Sequence, residues 1–160
     1  MAKKFELTAE FVTNIFGKKL FRIKALMAFG DVKEGELGGY LEKEENLDHD
    51  GDAWVSGDAW VYGNAWVYGN ARVYGDAQVS GDADYATIKG FGSVSRATTF
   101  FWLKSGEIGV RCGCFYGTIE QFREKVKETH GDSKYAKEYL MIADLMELHF
   151  RPEEGKKCDG

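Results

Sequence analysis

Between Gly51 and Ala86 the chain repeats with a period of six residues, reading GDAWVS, GDAWVY, GNAWVY, GNARVY, GDAQVS and GDADYA. Uninterrupted periodicity constrains a fold more tightly than composition does, because every unit must meet its neighbours in the same way. Val55, Val61, Val67, Val73 and Val79 recur in register, and Tyr85 takes the sixth place. Four residues after each valine stands a small residue: Ala59, Ala65, Ala71, Ala77 and Ala83. Gly followed by Asp or Asn opens each hexad, and these residues tolerate the positive φ that a sharp corner requires. The spacing therefore predicts one short strand and one corner per hexad. Valine lies inside, and alanine lies inside near the corner, where nothing larger fits.

The pattern Val-x-Gly-Asp/Asn-Ala-x resembles the hexapeptide repeat of the left-handed parallel β-helix family. The resemblance implies triangular coils of about 18 residues, stacked at roughly the strand-pairing distance of 4.7–4.9 Å. The expected fold is mainly β: a short left-handed parallel β-helix of two to three coils, with an N-terminal β cap and a C-terminal ββαα module. The expected boundaries are 1–40 for the cap, 41–89 for the repeat, 90–150 for the C-terminal module and 151–160 for a flexible tail. So few coils leave strand edges open at both ends, so the flanking segments or another subunit must cover them.

Upstream, Phe5–Leu7 and Leu20–Leu26 alternate as strands around a turn at 14–19. The stretch Gly35–Leu41 with Asn46-Leu47 resembles the lead-in of bacterial and phage hexapeptide proteins. Downstream the period breaks at Thr87. Thr98–Leu103 and Ile108–Cys112 read as a hairpin, and Gly113–Gly117 as a turn. Thr118 and Gln121 form a capping box that opens a helix through Glu128, and Asp132 or Ser133 caps a second helix running to about Phe150. The segments IGVRCGCFYGTIEQF and THGDSKYAKEYL resemble a C-terminal module of bacteriophage and prophage proteins.

Charge and length set outer limits on function. The net charge of −5 and the lack of a dense Lys/Arg run argue against duplex nucleic acid as a partner. No apolar run is long enough to span a bilayer and no signal-peptide pattern is present, which predicts a protein outside the membrane. Three cysteines make a disulfide framework improbable and suit a reducing cytoplasm, that of the host cell if the chain is phage-encoded.

The hexapeptide resemblance implies acyl transfer as one chemistry, with a histidine as base. The repeats hold no histidine; His49 precedes the first full hexad and is the catalytic candidate only in that case. Cys112-x-Cys114 with His130 offers too few ligands at too tight a spacing for structural zinc, so neither a metal nor another cofactor is expected. The aromatic residues carry more. Trp54, Trp60 and Trp66 follow inward alanines and are expected to point outward, one on each face; Tyr62, Tyr68 and Tyr74 are expected to point outward too. Such a girdle signals either subunit packing or a stacking platform for a planar ligand.

The ligand-binding candidates are Trp60, Trp66 and Tyr68 for stacking, with Arg72, Arg96 and Arg111 for phosphate; Lys89 adds a further cation near the turn 90–96. The expected function is that of a non-enzymatic, phage-type, homo-oligomeric binding protein, sequestering a nucleotide immune signal or inhibiting a host defence factor. A homotrimer is expected first, with a dimer or hexamer as alternatives, and the partner is a small anionic ligand or a host protein. The alternatives in function are a hexapeptide-repeat acyltransferase acting on a small acceptor and a structural virion or assembly component.

Overall fold

Four of the six hexads enter sheets with strands of only two residues, and the last feeds a strand of four. The computed structural model describes residues 3–81, 84–92, 97–113 and 115–151. The repeat strands are β4 (Trp54–Val55), β5 (Trp60–Val61), β6 (Arg72–Val73) and β7 (Gln78–Val79); ahead of them come β1 (Phe5–Thr13), β2 (Lys19–Ala25) and β3 (Leu37–Leu41). After the repeats follow β8 (Tyr85–Ile88), β9 (Thr98–Trp102), β10 (Ile108–Cys112) and β11 (Phe115–Thr118), then the helices α1 (Ile119–His130) and α2 (Lys134–Phe150).

Corners fall at Gly51, Gly57, Gly63, Gly69 and Gly75, whose φ lies between 63° and 74°. At Gly51, Gly57 and Gly63 an added Cβ would come within 3 Å of the backbone at Gly69, Gly75 and Ser80 respectively. Space and φ both demand glycine there. Each strand pairs in parallel with the one three hexads further on: Trp54 with Arg72, Val55 with Val73, Trp60 with Gln78 and Val61 with Val79. Val55, Val61, Val67, Val73 and Val79 are all fully buried, as are Ala53, Ala59, Ala71 and Ala77.

The expected left-handed parallel β-helix is nevertheless not formed. The strands divide among three separate sheets in the described residues, and these sheets neither close nor coil. β4 and β6 make a two-stranded sheet. β5 and β7 belong to a mixed five-stranded sheet ordered β1-β2-β3-β5-β7, and β8 to β11 form a third sheet ordered β11-β10-β9-β8. The third row of the repeat, through Val67, makes only an isolated bridge to Leu47. Strand length is the physical reason. A two-residue strand supplies too few ladder hydrogen bonds to extend a sheet, and the longer flanking strands take over the pairing.

The two flanking expectations change accordingly. The N-terminal segment is not a separate β cap: β1 pairs antiparallel with β2, β2 with β3, and β3 runs parallel to β5 with Tyr40 opposite Trp60. Gly38 and Gly39 permit this join. A Cβ on either would lie within 3 Å of the Val55 or Ala59 carbonyl oxygen. The expected ββαα module has four strands rather than two before its helices. β8 comes from the last hexad, where Gly81 leaves the positive-φ conformation of the other corners and Tyr85 pairs with Phe101. β11 occupies what read as a turn.

β9 is the wall between two cores. Phe101 packs with the repeat valines and alanines, whereas its neighbour Phe100 packs with Val110, Ile119, Phe122 and Tyr139 of the helical side. Alternation along one strand thus joins both halves of the chain. Each helix begins with a side-chain cap: Thr118 Oγ1 accepts from the Gln121 amide at 3.3 Å, and Ser133 Oγ accepts from the Ala136 amide at 3.3 Å. Among the described residues no helix is long and apolar enough to cross a membrane.

Val67 tests the repeat register, since it is fully buried on the row with the least sheet pairing. Val67→Asp should lower stability by several kcal/mol, on the order of the 2–7 kcal/mol for burying an uncompensated polar group. Thermal unfolding followed by circular dichroism checks this, and an unchanged midpoint contradicts the burial.

Candidate functional site

The three tryptophans of the repeat meet three different fates, and the difference defines the candidate site. Trp54, expected outside, is fully buried. The segment Phe29–Val32 folds back over it, with the Phe29 ring edge-on at 5.2 Å. Asp31 of that segment then pairs with Arg72 at 2.7 Å, on the residue directly beside Trp54 in the parallel ladder. The indole Nε1 of Trp54 has no hydrogen-bond partner, so its large apolar area is buried at the cost of one unmet donor. Trp60 is half-buried, in a hollow of about 250 Å³ with Val12, Tyr40 and Gln78. Tyr40 of this row stacks under the Arg22 guanidinium at 4.4 Å, and Arg22 Nε donates to Glu10 at 2.9 Å.

Trp66 is the tryptophan that no other segment covers to the same degree; 46% of it is exposed, and Tyr68 beside it is 50% exposed. Their rings stack at 4.5 Å with an interplanar angle of 22°. The Tyr85 hydroxyl donates to the Trp66 carbonyl at 2.6 Å and fixes the backbone beneath the pair. The stack stands between two depressions. Trp66 lines a cleft of about 600 Å³ together with Lys3, Glu44, Glu45, Asp48 and Asp50. Tyr68 lines a hollow of about 390 Å³ with Asn70, Tyr85 and Thr87. The cleft is strongly acidic, with four carboxylates against one lysine among those residues. The hollow carries only neutral polar groups.

His49 lies at the back of the cleft, and both of its ring nitrogens are engaged. Nδ1 accepts the Lys4 backbone amide at 3.0 Å, and Nε2 lies 2.8 Å from Glu44 Oε1. The amide can only donate, which puts the imidazole proton on Nε2. The ring also stacks on Phe5 at 4.3 Å. Hydrogen bonding from His49, with help from Lys3, holds the Glu44 carboxyl below its ordinary pKa. In this arrangement no lone pair of His49 is left to take a proton from an acceptor.

The remaining candidates separate. Arg72 is bound to Asp31; burial disfavours the charged carboxylate of Asp31 and pushes its pKa up, yet the Arg72 hydrogen bond holds it below the ordinary value. The Arg111 guanidinium lies 4.4 Å over the Tyr74 ring, and its Nε donates to the Gly113 carbonyl at 2.8 Å. Arg72 and Arg111 both act on Asp31 electrostatically, so these two share a side of the molecule. Trp66 and Tyr68 share another row, and Trp60 lies on a third. Arg96 and Cys114 lie outside the described residues. Cys112 accepts from Thr98 Oγ1 at 3.2 Å, and the described residues contain no metal-binding cluster of His, Cys, Asp or Glu. The comparisons with known proteins add no family: no family model matches the chain, and no curated protein matches it.

Lys3, Asp48, Tyr85 and Thr87 were not among the sequence candidates. One irregularity points to the cleft. From Leu47 to Val55 is eight residues rather than six, and the parallel partners change from Leu47–Val67 to Val55–Val73 across it. The two extra residues widen the corner that carries His49 and Asp50.

Beneath that corner lies Lys4, 2% exposed, whose ammonium donates to the Ala53 carbonyl at 2.7 Å and the Gly51 carbonyl at 3.3 Å. Burial pushes its pKa down from 10.5 to about 8, although Asp48, Asp52 and Asp50 pull the other way. Below about pH 8 both folded and unfolded chains hold the proton. Between about pH 8 and 10.5 the folded chain has released it and the unfolded chain has not, so stability rises with pH. Across that window the rise is roughly 3 kcal/mol. Urea unfolding of the parent and of Lys4→Met through this range should show the rise in the parent only. A parallel pair of pH profiles contradicts the lowered pKa of Lys4.

Proposed function

We propose that the chain is a non-catalytic, phage-type binding protein that takes a planar ligand on the Trp66–Tyr68 stack. In its concrete form the ligand is a nucleotide signal of bacterial antiviral defence, held in the host cytoplasm. The observation that carries the reading is a pre-stacked, half-exposed aromatic pair with a concave hollow on its Tyr68 side. An exposed ring held in place by a neighbour loses little rotamer freedom on binding and offers its outer face to any flat ring.

Electrostatics decides the side from which an anion arrives. Four carboxylates around the Trp66 cleft repel phosphate, whereas the residues lining the Tyr68 hollow carry no charge and Asn70 among them offers an amide; the Thr87 hydroxyl there already donates to the Thr98 carbonyl at 3.2 Å. The ligand ring therefore stacks on the outer face of Tyr68, and Trp66 backs it. Of the cations considered, Arg72 and Arg111 are held by Asp31, Tyr74 and Gly113 on another side. Lys89 is exposed two residues beyond Thr87 and is the better phosphate contact.

Acyl transfer is the weaker reading because His49, its candidate base, has both nitrogens occupied by Lys4 and Glu44. Acceptor-dependent release of coenzyme A that vanishes in His49→Ala would reverse this ranking.

Calorimetric titration with a panel of cyclic dinucleotides and ADP-ribose derivatives tests the proposal. One class should bind, and Tyr68→Ala should weaken it about 5- to 150-fold, matching a stacking contribution of roughly 1–3 kcal/mol. Lys89→Ala should weaken it as well, while Arg72→Ala and Arg111→Ala leave it unchanged. Absence of heat from every panel member overturns the nucleotide assignment, and binding indifferent to Tyr68→Ala overturns the site.

A further inference from the structure

The most exposed large apolar side chains of the described protein are Ile15 and Phe16, at 92% and 80%. They sit together at the tip of the β1–β2 hairpin, in a turn shaped by Asn14. Its side-chain oxygen accepts from the Phe16 and Lys18 amides at 2.9 and 3.0 Å. Gly17 completes the turn at a φ of 80°. The tip is thus a hydrogen-bonded turn that holds two apolar side chains in water. From Thr13 to Lys19 it carries two lysines and no acid. Lys18 reaches Glu42 at 3.1 Å and Lys19 lies over the Phe11 ring at 4.7 Å, so both cations stand along the base of the tip.

The same chain contains a depression of complementary character. The cleft beside Trp66 has the half-exposed Trp66 ring as its apolar wall above the buried Leu47, with Glu44, Glu45, Asp48 and Asp50 around it. Two apolar side chains backed by cations on one surface, and an apolar depression rimmed by carboxylates on another, are matched in hydrophobicity and in charge. Within one chain the tip is not seated in the cleft, since its side chains remain almost fully exposed.

We propose that the Ile15–Phe16 tip of one copy docks into the Trp66 cleft of a second copy. The contact joins two different surfaces, so it is heterologous. Repeated with a closing rotation it makes a ring, and a three-membered ring agrees with the trimer expected from the repeat. This inference does not rest on the nucleotide reading: the ligand uses the Tyr68 side of the stack and the tip uses the Trp66 side.

Sedimentation velocity of the full chain at micromolar concentration tests it. The parent should sediment as a single species of three chain masses, and Phe16→Asp should sediment as a monomer with unchanged circular dichroism. The double variant Lys18→Glu/Lys19→Glu should associate at least about tenfold more weakly, as should Glu45→Lys/Asp50→Lys. Mixing these two charge-reversed chains should restore pairwise association, because reversed tip then meets reversed cleft, while a ring of three, which cannot alternate two kinds of chain, keeps one repulsive contact and stays weak. A monomeric parent overturns the proposal, as does an oligomer indifferent to Phe16→Asp. Vesicles of anionic phospholipid provide a second arm. A monomeric parent that floats with them, and ceases to do so in Phe16→Asp, assigns the tip to a lipid surface instead of a second copy.

Discussion

A strand of two residues cannot hold a fold by itself, and that limit governs the architecture around the repeats. The first two hexads are each held by the third hexad along, through bonds such as Trp54 N–H to the Ala71 carbonyl and Trp60 N–H to the Ala77 carbonyl. Between these bonds a narrow core of valine and alanine excludes water. The register makes valine meet valine and glycine corner meet glycine corner, and a shift of one residue would turn every valine outward. Longer strands then compete for the edges. β3 captures the row of Trp60, and β9 with β8 closes off the last hexad, so sheets of mixed direction replace a uniform helix of coils.

Much of this was legible in the sequence because it is periodic. The buried valines and alanines, the positive-φ glycines and both helix caps follow from local spacing and side-chain chemistry alone. What was not legible depends on distant partners. Trp54 reads as outward because period alone assigns it there, yet the segment around Phe29 reaches over it. β8 was hidden because GDADYA satisfies the repeat pattern while its Tyr85 pairs with Phe101. β11 read as a turn because it follows Gly113 and contains Gly117; there the absence of a side chain makes room for Gln121 and Phe115.

The candidate site divides along the same line. Trp66 and Tyr68 were readable as separate outward candidates because they flank the inward Val67 within one hexad; that their rings stack at 4.5 Å was not, since Trp60 and Tyr62 flank Val61 with the same spacing. The arginines were not readable, because an arginine's availability depends on which carboxylate or ring lies beside it. Asp31 and Tyr74 engage Arg72 and Arg111. His49 likewise reads as a base until its acceptor nitrogen meets the amide of Lys4, far away in sequence. The functional reading thus rests on what each row of the repeat finds opposite it. A folded-back segment covers the first row and a hairpin borders the second. The third presents its aromatic pair.

The register is the claim that all of this stands on, and amide hydrogen exchange of the native protein tests it most directly. The amides of Trp54, Ser56, Trp60 and Tyr62 each donate to a carbonyl nearly three hexads further along the chain, at Ala71, Val73, Ala77 and Val79 respectively. If the register is right, all four are strongly protected from exchange, because each is held in a bond buried between hexads. Exchange of any of them at the rate of an unprotected amide would contradict the register.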